Sequence, residues 1–169
     1  MHDGDRYVKH SFRSDSPCIV AAMRAATRRL TQLYDDAMAP TGLRITQFHV
    51  LSELNRRSAD PPTVGELAEI LIMERSALGQ TLRPLERDGF IDLGQDARDG
   101  RRRPITLTKK GKDKVASGRR YWAVAHEKFG HFFGDSQLAL LRETLRGIAE
   151  SPQLPDAFRQ ASTASRRKS

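Results

Sequence analysis

Apolar residues in the first third of the chain recur at steps of three and four, which is the spacing of one face of an α-helix. The first run predicts a helix from Ser16 to Ala37, with Ser16 as its cap and Pro17 in its first turn. The second run predicts a helix from Thr46 to Arg57. The positions expected to face inward are Ile19, Met23, Ala26, Leu30, Leu33 and Ala37 in the first helix and Phe48, Leu51 and Leu54 in the second.

The middle of the chain predicts two short helices joined by a tight turn. Thr63 followed by Glu66 fits a capping box, in which each residue satisfies the other's backbone amide. A turn near Ile72 should lead to a second helix from about Glu74 to Asp88, which Gly89 ends. The inward positions expected here are Val64, Leu67, Ala68 and Leu71, then Leu78, Leu82 and Leu85.

A β-hairpin and two further helices are expected after this pair. Phe90 to Leu93 reads as a strand, and a return strand passes through Ile105 and Leu107. Beyond it, the predicted elements are a long helix from Lys109 to Phe133 capped by Thr108, a break at Gly134-Asp135-Ser136, and a last helix from Gln137 to Glu150 with Leu138, Leu141, Leu145 and Ile148 on one face.

Length and charge place these elements in one basic domain. The 169 residues carry a formal net charge of +8 and a pI near 10.1, which favours a nucleic acid or another anionic surface as partner. A basic surface kept only for solubility is the alternative. Residues 1–15 are expected to form a flexible arm and residues 151–169 a flexible basic tail. The single cysteine excludes an internal disulfide framework, and no signal peptide or membrane span is evident, so a cytoplasmic location is expected.

The charge is concentrated at the tip of the predicted hairpin, in the stretch DARDGRRRPITLTKKG from Asp96 to Gly111. A turn that must touch a polyanion needs many positive charges. A solvated charged hairpin is the alternative, but it does not explain why the charge is so one-sided.

The run TVGELAEILIMERSALGQTLRPLERDGFIDLGQDARDGRRRPITLTKKG resembles the DNA-binding core of the MarR/SlyA family of bacterial transcription regulators. The resemblance rests on Leu67-Ala68-Glu69, Glu74-Arg75-Ser76, Leu85-Glu86-Arg87-Asp88-Gly89, Arg98-Asp99-Gly100-Arg101 and Leu107-Thr108 before Gly111. With its flanking helices it extends from about Pro17 to Glu150. It departs from the family at Ile72, where many relatives carry a small residue, and at Pro84, which should kink or loosen the second helix near Gln80.

The resemblance implies a mainly α fold with a winged helix-turn-helix core and a two-stranded wing, flanked by N- and C-terminal dimerisation helices. In these terms residues 16–150 form a single MarR-like domain: 16–57 are the N-terminal helices, 63–108 the winged helix-turn-helix and 109–150 the C-terminal dimerisation helices. The uncovered apolar faces of the outer helices fit a homodimer, as the family also implies. Alternatively, these helices fold over the winged core.

Double-stranded DNA is the partner that this arrangement predicts. A helix fits the major groove, where Arg75 can bind guanine, Gln80 adenine, and Ser76 a base or a phosphate. By resemblance Arg101 is the wing-tip arginine for the minor groove, held by Asp99. The remaining expected phosphate contacts are Arg98, Arg102, Arg103 and Lys109. The alternative for Arg75 is an ion pair with Glu74 or another neighbour.

The family also implies a small-molecule effector, often an anionic aromatic compound bound between the dimer helices and the winged domain. Arg24 and Arg28 share a helix face and suit a carboxylate. Met23 and Phe48 are candidate apolar walls, and His49 is a candidate hydrogen-bonding group. Alternatively, the two arginines pair with Asp35, Asp36 or the partner subunit, or face solvent.

No catalytic, metal or cofactor site is expected. His49 with Glu53, and Glu127 with His131, stand four residues apart, but nothing completes a ligand set. Some relatives sense peroxides through a cysteine on the first helix. Cys18 falls two residues earlier than that cysteine, and Ala22 replaces a tyrosine that relatives carry, so a packed and inert Cys18 is expected.

The leading hypothesis is a ligand-responsive repressor that binds a pseudo-palindromic operator. The alternatives are an architectural DNA-binding protein without a ligand, a protein-binding winged-helix adaptor, and a cysteine-based redox sensor.

Overall fold

The computed structural model of the chain describes residues 17–94 and 103–159. Its elements, in chain order, are α1 (Ile19–Met38), a short 3-10 turn (Ala39–Thr41), α2 (Ile45–Arg56), α3 (Val64–Ile70), α4 (Arg75–Arg87), β1 (Ile91–Leu93), β2 (Ile105–Leu107), α5 (Lys109–Phe133) and α6 (Asp135–Glu150). The predicted mainly helical fold, with a helix-turn-helix followed by a two-stranded hairpin, is confirmed.

The core lies where α2, α3 and α4 meet the hairpin and the first half of α5. All inward positions predicted on α2 and α4 are buried, and their apolar contacts stabilise the fold by roughly 1.5–3 kcal/mol per fully buried side chain. On α3, Leu67 and Ala68 are buried, whereas Val64 and Leu71 pack at the edge of the core. The central helices thus owe their positions to the apolar face that the sequence pattern predicts.

The capping box at the start of α3 is confirmed. The Thr63 amide donates to Glu66 Oε2 over 2.7 Å, and the Glu66 amide donates to Thr63 Oγ1 over 3.3 Å. The turn to α4 closes through the Met73 amide, which donates to the Ala68 carbonyl over 2.8 Å. The turn is made despite Ile72, whose φ of 51° is left-handed, an unfavourable conformation for a β-branched residue.

Pro84 does not interrupt α4, which continues through it to Arg87. The helix ends in a Schellman motif, in which the Phe90 amide donates to the Leu85 carbonyl and the Gly89 amide to the Glu86 carbonyl. Gly89 has a φ of 72°, which explains why a glycine ends this helix.

The hairpin is antiparallel, with Ile91 opposite Leu107 and Leu93 opposite Ile105. Its second strand also contacts the segment before α3. The Ile105 amide donates to the Pro62 carbonyl over 2.8 Å, and Pro104 forms an isolated bridge with Thr63. The base of the wing and the first turn of α3 are therefore held together.

Helix α5 connects the winged core to α1. Thr108 caps it as predicted, accepting from the Gly111 amide and donating to the Gly89 carbonyl. Further along, Lys114 Nζ donates to the Thr41 carbonyl over 2.7 Å. The Tyr34 hydroxyl lies 3.3 Å from His126 Nδ1, and the His126 ring stacks on Trp122.

Some predicted boundaries differ from the structure. Cys18 occupies the N-cap position of α1 without a side-chain cap hydrogen bond, while the predicted cap, Ser16, lies outside the described residues. Helix α6 begins at Asp135, two positions before the predicted start at Gln137. Gly134 alone separates it from α5, whereas Gly134-Asp135-Ser136 were expected to do so. Residues 154–159, within the predicted flexible tail, are helical. Residues 1–16 and 160–169 lie outside the described residues.

The outer helices leave their apolar faces open in the single chain. Among the predicted inward positions of α1 none is buried, and Met38 is that helix's buried residue. Helix α6 has no buried residue, and Phe132 near the end of α5 is 83% exposed. Within the described ranges, no helix is both long enough and apolar enough to cross a membrane.

Candidate nucleic-acid interface

The start of α4 presents a polar face to solvent while its opposite face is buried. Arg75, Ser76 and Gln80 are exposed, whereas Leu78 and Leu82 are buried. The three residues predicted to read DNA therefore lie on the accessible side of the second helix of the pair. Within the part of the chain that the structure describes, no ion pair joins Arg75 to Glu74.

The Arg75 side chain extends back across the first turn of α3. Its Nη2 lies 3.1 Å, and its Cζ 3.4 Å, from the position that a Cβ on Gly65 would occupy. The guanidinium thus lies against a backbone surface and remains accessible to solvent.

Two more arginines share this exposed face. Arg83 and Arg87 follow Gln80 at steps of three and four and are exposed. Arg87 Nε lies 3.0 Å from Asp88 Oδ1. Neither arginine is among the predicted DNA contacts, although the helical spacing that places Gln80 opposite the core also places them there.

The base of the wing carries further positive charge. Arg103 is exposed beside Pro104, whose carbonyl accepts from the Gly94 amide over 3.0 Å. Arg98, Asp99, Arg101 and Arg102 lie outside the described residues. The wing-tip assignment therefore stays a prediction.

The lysines at the start of α5 have different surroundings. Lys109 is exposed, as a phosphate contact requires. Lys110 Nζ donates to the Asp88 carbonyl over 2.8 Å and lies 5.1 Å from the centroid of the Phe90 ring. Lys110 thus stabilises the junction of α4 and β1, where the sequence pattern showed only a basic run.

The predicted effector residues are only partly brought together. Met23, Arg24 and Arg28 border an open concavity of about 630 Å³ along α1. Arg28 also borders a second one of about 710 Å³, which reaches Leu43 and Arg44 at the start of α2. Arg28 is the residue that these two concavities share.

Phe48 and His49 border neither of these two concavities. Phe48 is buried in the core, where it packs against Gly118 of α5, so it is not available as a wall of the cleft. His49, the next residue of α2, is exposed, yet enough protein surrounds its ring that burial lowers its pKa. It is therefore mainly neutral at pH 7.

Asp35, one of the carboxylates that could pair with Arg28, makes other contacts instead. Asp35 Oδ1 accepts from the Ile45 amide over 2.7 Å, and its Oδ2 lies 3.8 Å from Arg44 Nη1. Among the described residues, neither Arg24 nor Arg28 forms an ion pair. Two guanidinium groups thus remain beside an open surface.

Cys18 is exposed at the start of α1, so the packed environment expected for it is wrong for the single chain. Across residues 17–94 and 103–159, no three His, Cys, Asp or Glu side chains are grouped so as to hold a metal ion.

Comparison with known proteins agrees with this geometry. Residues 41–102 match a sequence profile described as the MarR family. The transcriptional activatory protein BadR of Rhodopseudomonas palustris is 33% identical over 127 residues, covering 68% of this chain and 69% of that protein.

Two solved structures share the fold. The transcriptional regulator MosR of M. tuberculosis, in complex with DNA, superposes with a TM-score of 0.71 at 29% identity, covering 84% of this chain and 98% of that one. CouR from Rhodococcus jostii RHA1, bound to p-coumaroyl-CoA, superposes with a TM-score of 0.68 at 19% identity, covering 80% and 94%. The chain combines a helix-turn-helix, a hairpin and flanking helices, and it belongs to the MarR family of winged helix transcriptional regulators.

Proposed function

We propose that this MarR-family regulator is a homodimeric repressor that binds a pseudo-palindromic operator and is released from it by a small ligand. The observation that carries the DNA-binding part is the exposed face of α4, where Arg75, Ser76 and Gln80 lie opposite a fully buried leucine face. MosR, the relative of 29% identity, was solved in complex with DNA, which supports DNA binding by this chain.

The geometry of DNA determines which residues contact the major groove, the phosphates and the minor groove. Helix α4 enters the major groove, where Arg75 accommodates the two acceptors of guanine and Gln80 the donor and acceptor of adenine. Arg103 and Lys109 contact phosphates, and by family resemblance Arg101 inserts into the minor groove. Two copies related by twofold symmetry then read half-sites about one helical turn apart.

Base reading by α4 is tested by selecting binding sites from random DNA. Wild type should select a pseudo-palindrome, and Arg75→Ala and Gln80→Ala should each relax the preference at a different position of the half-site, by roughly 1–3 kcal/mol. Arg159→Ala is the control, because it removes the same charge from a residue that pairs with Asp156 near the C-terminus. Identical preferences for all four proteins would refute base reading by α4.

The wing assignment has its own measurement. Arg101→Ala should weaken operator binding while leaving the fold intact, and the dependence of log affinity on log salt should become shallower by about one counterion. An unchanged affinity and salt slope would show that Arg101 does not contact DNA.

Repression is proposed over activation on grounds of mechanism. A dimer covering its operator excludes polymerase without needing a contact to it, whereas activation needs such a contact. The relatives include both roles: BadR is described as an activatory protein and CouR as a repressor. A reporter gene preceded by the selected site decides the sign, since deletion of the regulator should raise expression.

The effector is proposed to be an aromatic compound carrying a carboxylate or another anionic group. Met23, Arg24 and Arg28 line one concavity of α1, which offers an apolar wall beside two guanidinium groups. The structure of CouR with p-coumaroyl-CoA, a ligand both aromatic and anionic, supports this class of ligand. A ligand that prefers the DNA-free arrangement shifts the dimer away from the operator.

The effector proposal is tested by thermal-shift and gel-shift assays with aromatic carboxylic acids and their CoA thioesters. A true effector should stabilise wild type and release DNA, and Arg28→Ala should respond much less, whereas Arg159→Ala should respond as wild type does. If no compound acts on wild type, the ligand class is wrong. If one acts equally on Arg28→Ala, this arginine is not part of the site.

A further inference from the structure

We infer that Gly65 is a specificity-determining position for DNA reading, because its missing side chain lets Arg75 lie along the first turn of α3 and aims its guanidinium at one base pair. This inference rests on the proposed function of α4. The inference adds to that function a residue that need not touch DNA and that acts through Arg75.

The contact itself is close. A Cβ on Gly65 would lie 3.1 Å from Arg75 Nη2, 3.4 Å from Cζ and 3.7 Å from Nε, so it would meet three atoms of one planar group. The three heavy atoms nearest to that position all belong to the Arg75 guanidinium. A side chain at position 65 would therefore meet this group first.

The surface below the guanidinium is fixed by its own hydrogen bonds. Gly65 lies between Thr63 and Glu66, which form the capping box of α3. The same turn is joined to the wing, because Thr63 bridges to Pro104 and the Pro62 carbonyl accepts from the Ile105 amide. Arg75 therefore rests on a segment held both by the helix cap and by the base of the hairpin.

The orientation of the side chain matters more for an arginine than for most residues. Bidentate binding to guanine requires the planar guanidinium in one orientation, and an unrestrained arginine loses rotamer entropy when it adopts that orientation. A side chain that already lies against a rigid surface loses less rotamer entropy on binding, so its preference for the correct base is stronger. Among the described residues no ion pair holds the Arg75 guanidinium elsewhere.

Adding side-chain atoms at position 65 should displace the guanidinium without disturbing the fold. The nearest atoms belong to the far end of a flexible side chain, which can move away. Alanine is also a better helix former than glycine, so Gly65→Ala should keep α3 intact. Gly65→Val places two more carbon atoms in the same space and should displace Arg75 further.

The test is a double-mutant cycle read by binding-site selection, with Gly65→Ala and Gly65→Val made in wild type and in Arg75→Ala. In wild type, Gly65→Val should weaken the preference at the base pair read by Arg75 by about fivefold or more, and Gly65→Ala by less. In Arg75→Ala, both changes should alter that preference by less than about twofold. Preferences at the position read by Gln80 should stay constant throughout.

Three results would overturn the inference. One is an unchanged preference in Gly65→Val, and another is the same loss in the Arg75→Ala background, which would mean that position 65 acts without Arg75. The third is the absence, in the DNA-free protein, of a nuclear Overhauser contact between the Gly65 α protons and the Arg75 side chain. If wild type selects no site at all, the proposed function fails as well, and this contact then reports separately on the packing.

Discussion

At the scale of single residues, Glu53 is the described carboxylate with the clearest electrostatic role. Its Oε1 lies 2.5 Å from Arg56 Nη2 and 2.6 Å from Arg57 Nε on the same helix. The hydrogen bond from Arg56, together with the Arg57 contact and both positive charges, lowers the pKa of Glu53 despite its partial burial. Between the folded and unfolded pKa values the unfolded chain binds more protons, so stability falls as the pH falls.

Glu53→Gln should therefore lower the free energy of unfolding at pH 7 by no more than about 1 kcal/mol, since the partners face solvent. The difference between variant and wild type should shrink as the pH drops through and below 4.5, the ordinary Glu value, because wild-type Glu53 then also loses its charge. Denaturant unfolding at pH 7 and at acidic pH measures this. An equal difference at both pH values would show that the charge is not the cause.

Ile72 is the described non-glycine residue with a left-handed backbone, and it is 64% exposed. Its side chain adds little burial, while its conformation costs on the order of 1–2 kcal/mol. Asparagine tolerates this conformation, so Ile72→Asn should raise the free energy of unfolding by about 0.5–1 kcal/mol. A lower stability would contradict this account, because it would show that the isoleucine contributes more than its strained backbone costs.

At the scale of elements, α5 fits onto the hairpin only because Gly111 has no side chain. A Cβ there would lie 2.0 Å from the Phe90 carbonyl oxygen and 2.9 Å from Leu107 Cδ2, and backbone cannot yield as a side chain can. Gly79 on α4 is the natural control, since a Cβ there would meet nothing within 4 Å.

Gly111→Ala should lower the free energy of unfolding by about 1–3 kcal/mol or more, because α5 must shift away from β1. Gly79→Ala should instead raise it by up to about 1 kcal/mol through helix propensity. Unfolding is compared at one protein concentration, because the proposed dimerisation would contribute to stability. Equal effects of the two changes would contradict the close packing at Gly111.

The sequence predicted elements well where local signals agree with packing. The leucine faces of α2 and α4, the Thr63 cap and the bounds of α5 all follow from helical spacing and capping chemistry. The contact of Phe48 with Gly118 and the rest position of Arg75 on Gly65 join residues far apart in the chain or across a turn. Such contacts depend on how helices rotate against one another, which spacing alone does not determine.

At the scale of the whole molecule, α6 determines the assembly we expect. Leu141, Leu145 and Ile148 lie on one face and are about 40% exposed in the single chain. Burial of this face against a second copy would remove it from water.

Leu145→Glu should therefore shift the protein from dimer to monomer at micromolar concentration and weaken operator binding, because only the dimer engages both half-sites. Sedimentation velocity measures the first effect and gel shift the second. Glu143→Gln, on the same helix, should leave the dimer intact. A wild-type monomer, or an unaffected variant, would refute assembly through this face.

The exposed thiol at the start of α1 gives this regulator a built-in attachment point for a spectroscopic probe. Cys18 is the sequence's single cysteine, so a nitroxide reagent would mark one position per subunit without any engineered change. In a homodimer the two labels form one spin pair, and pulsed electron resonance would report the distance between the two α1 starts. Adding operator DNA, then an effector, would turn that single distance into a direct measure of how the two subunits move apart or together.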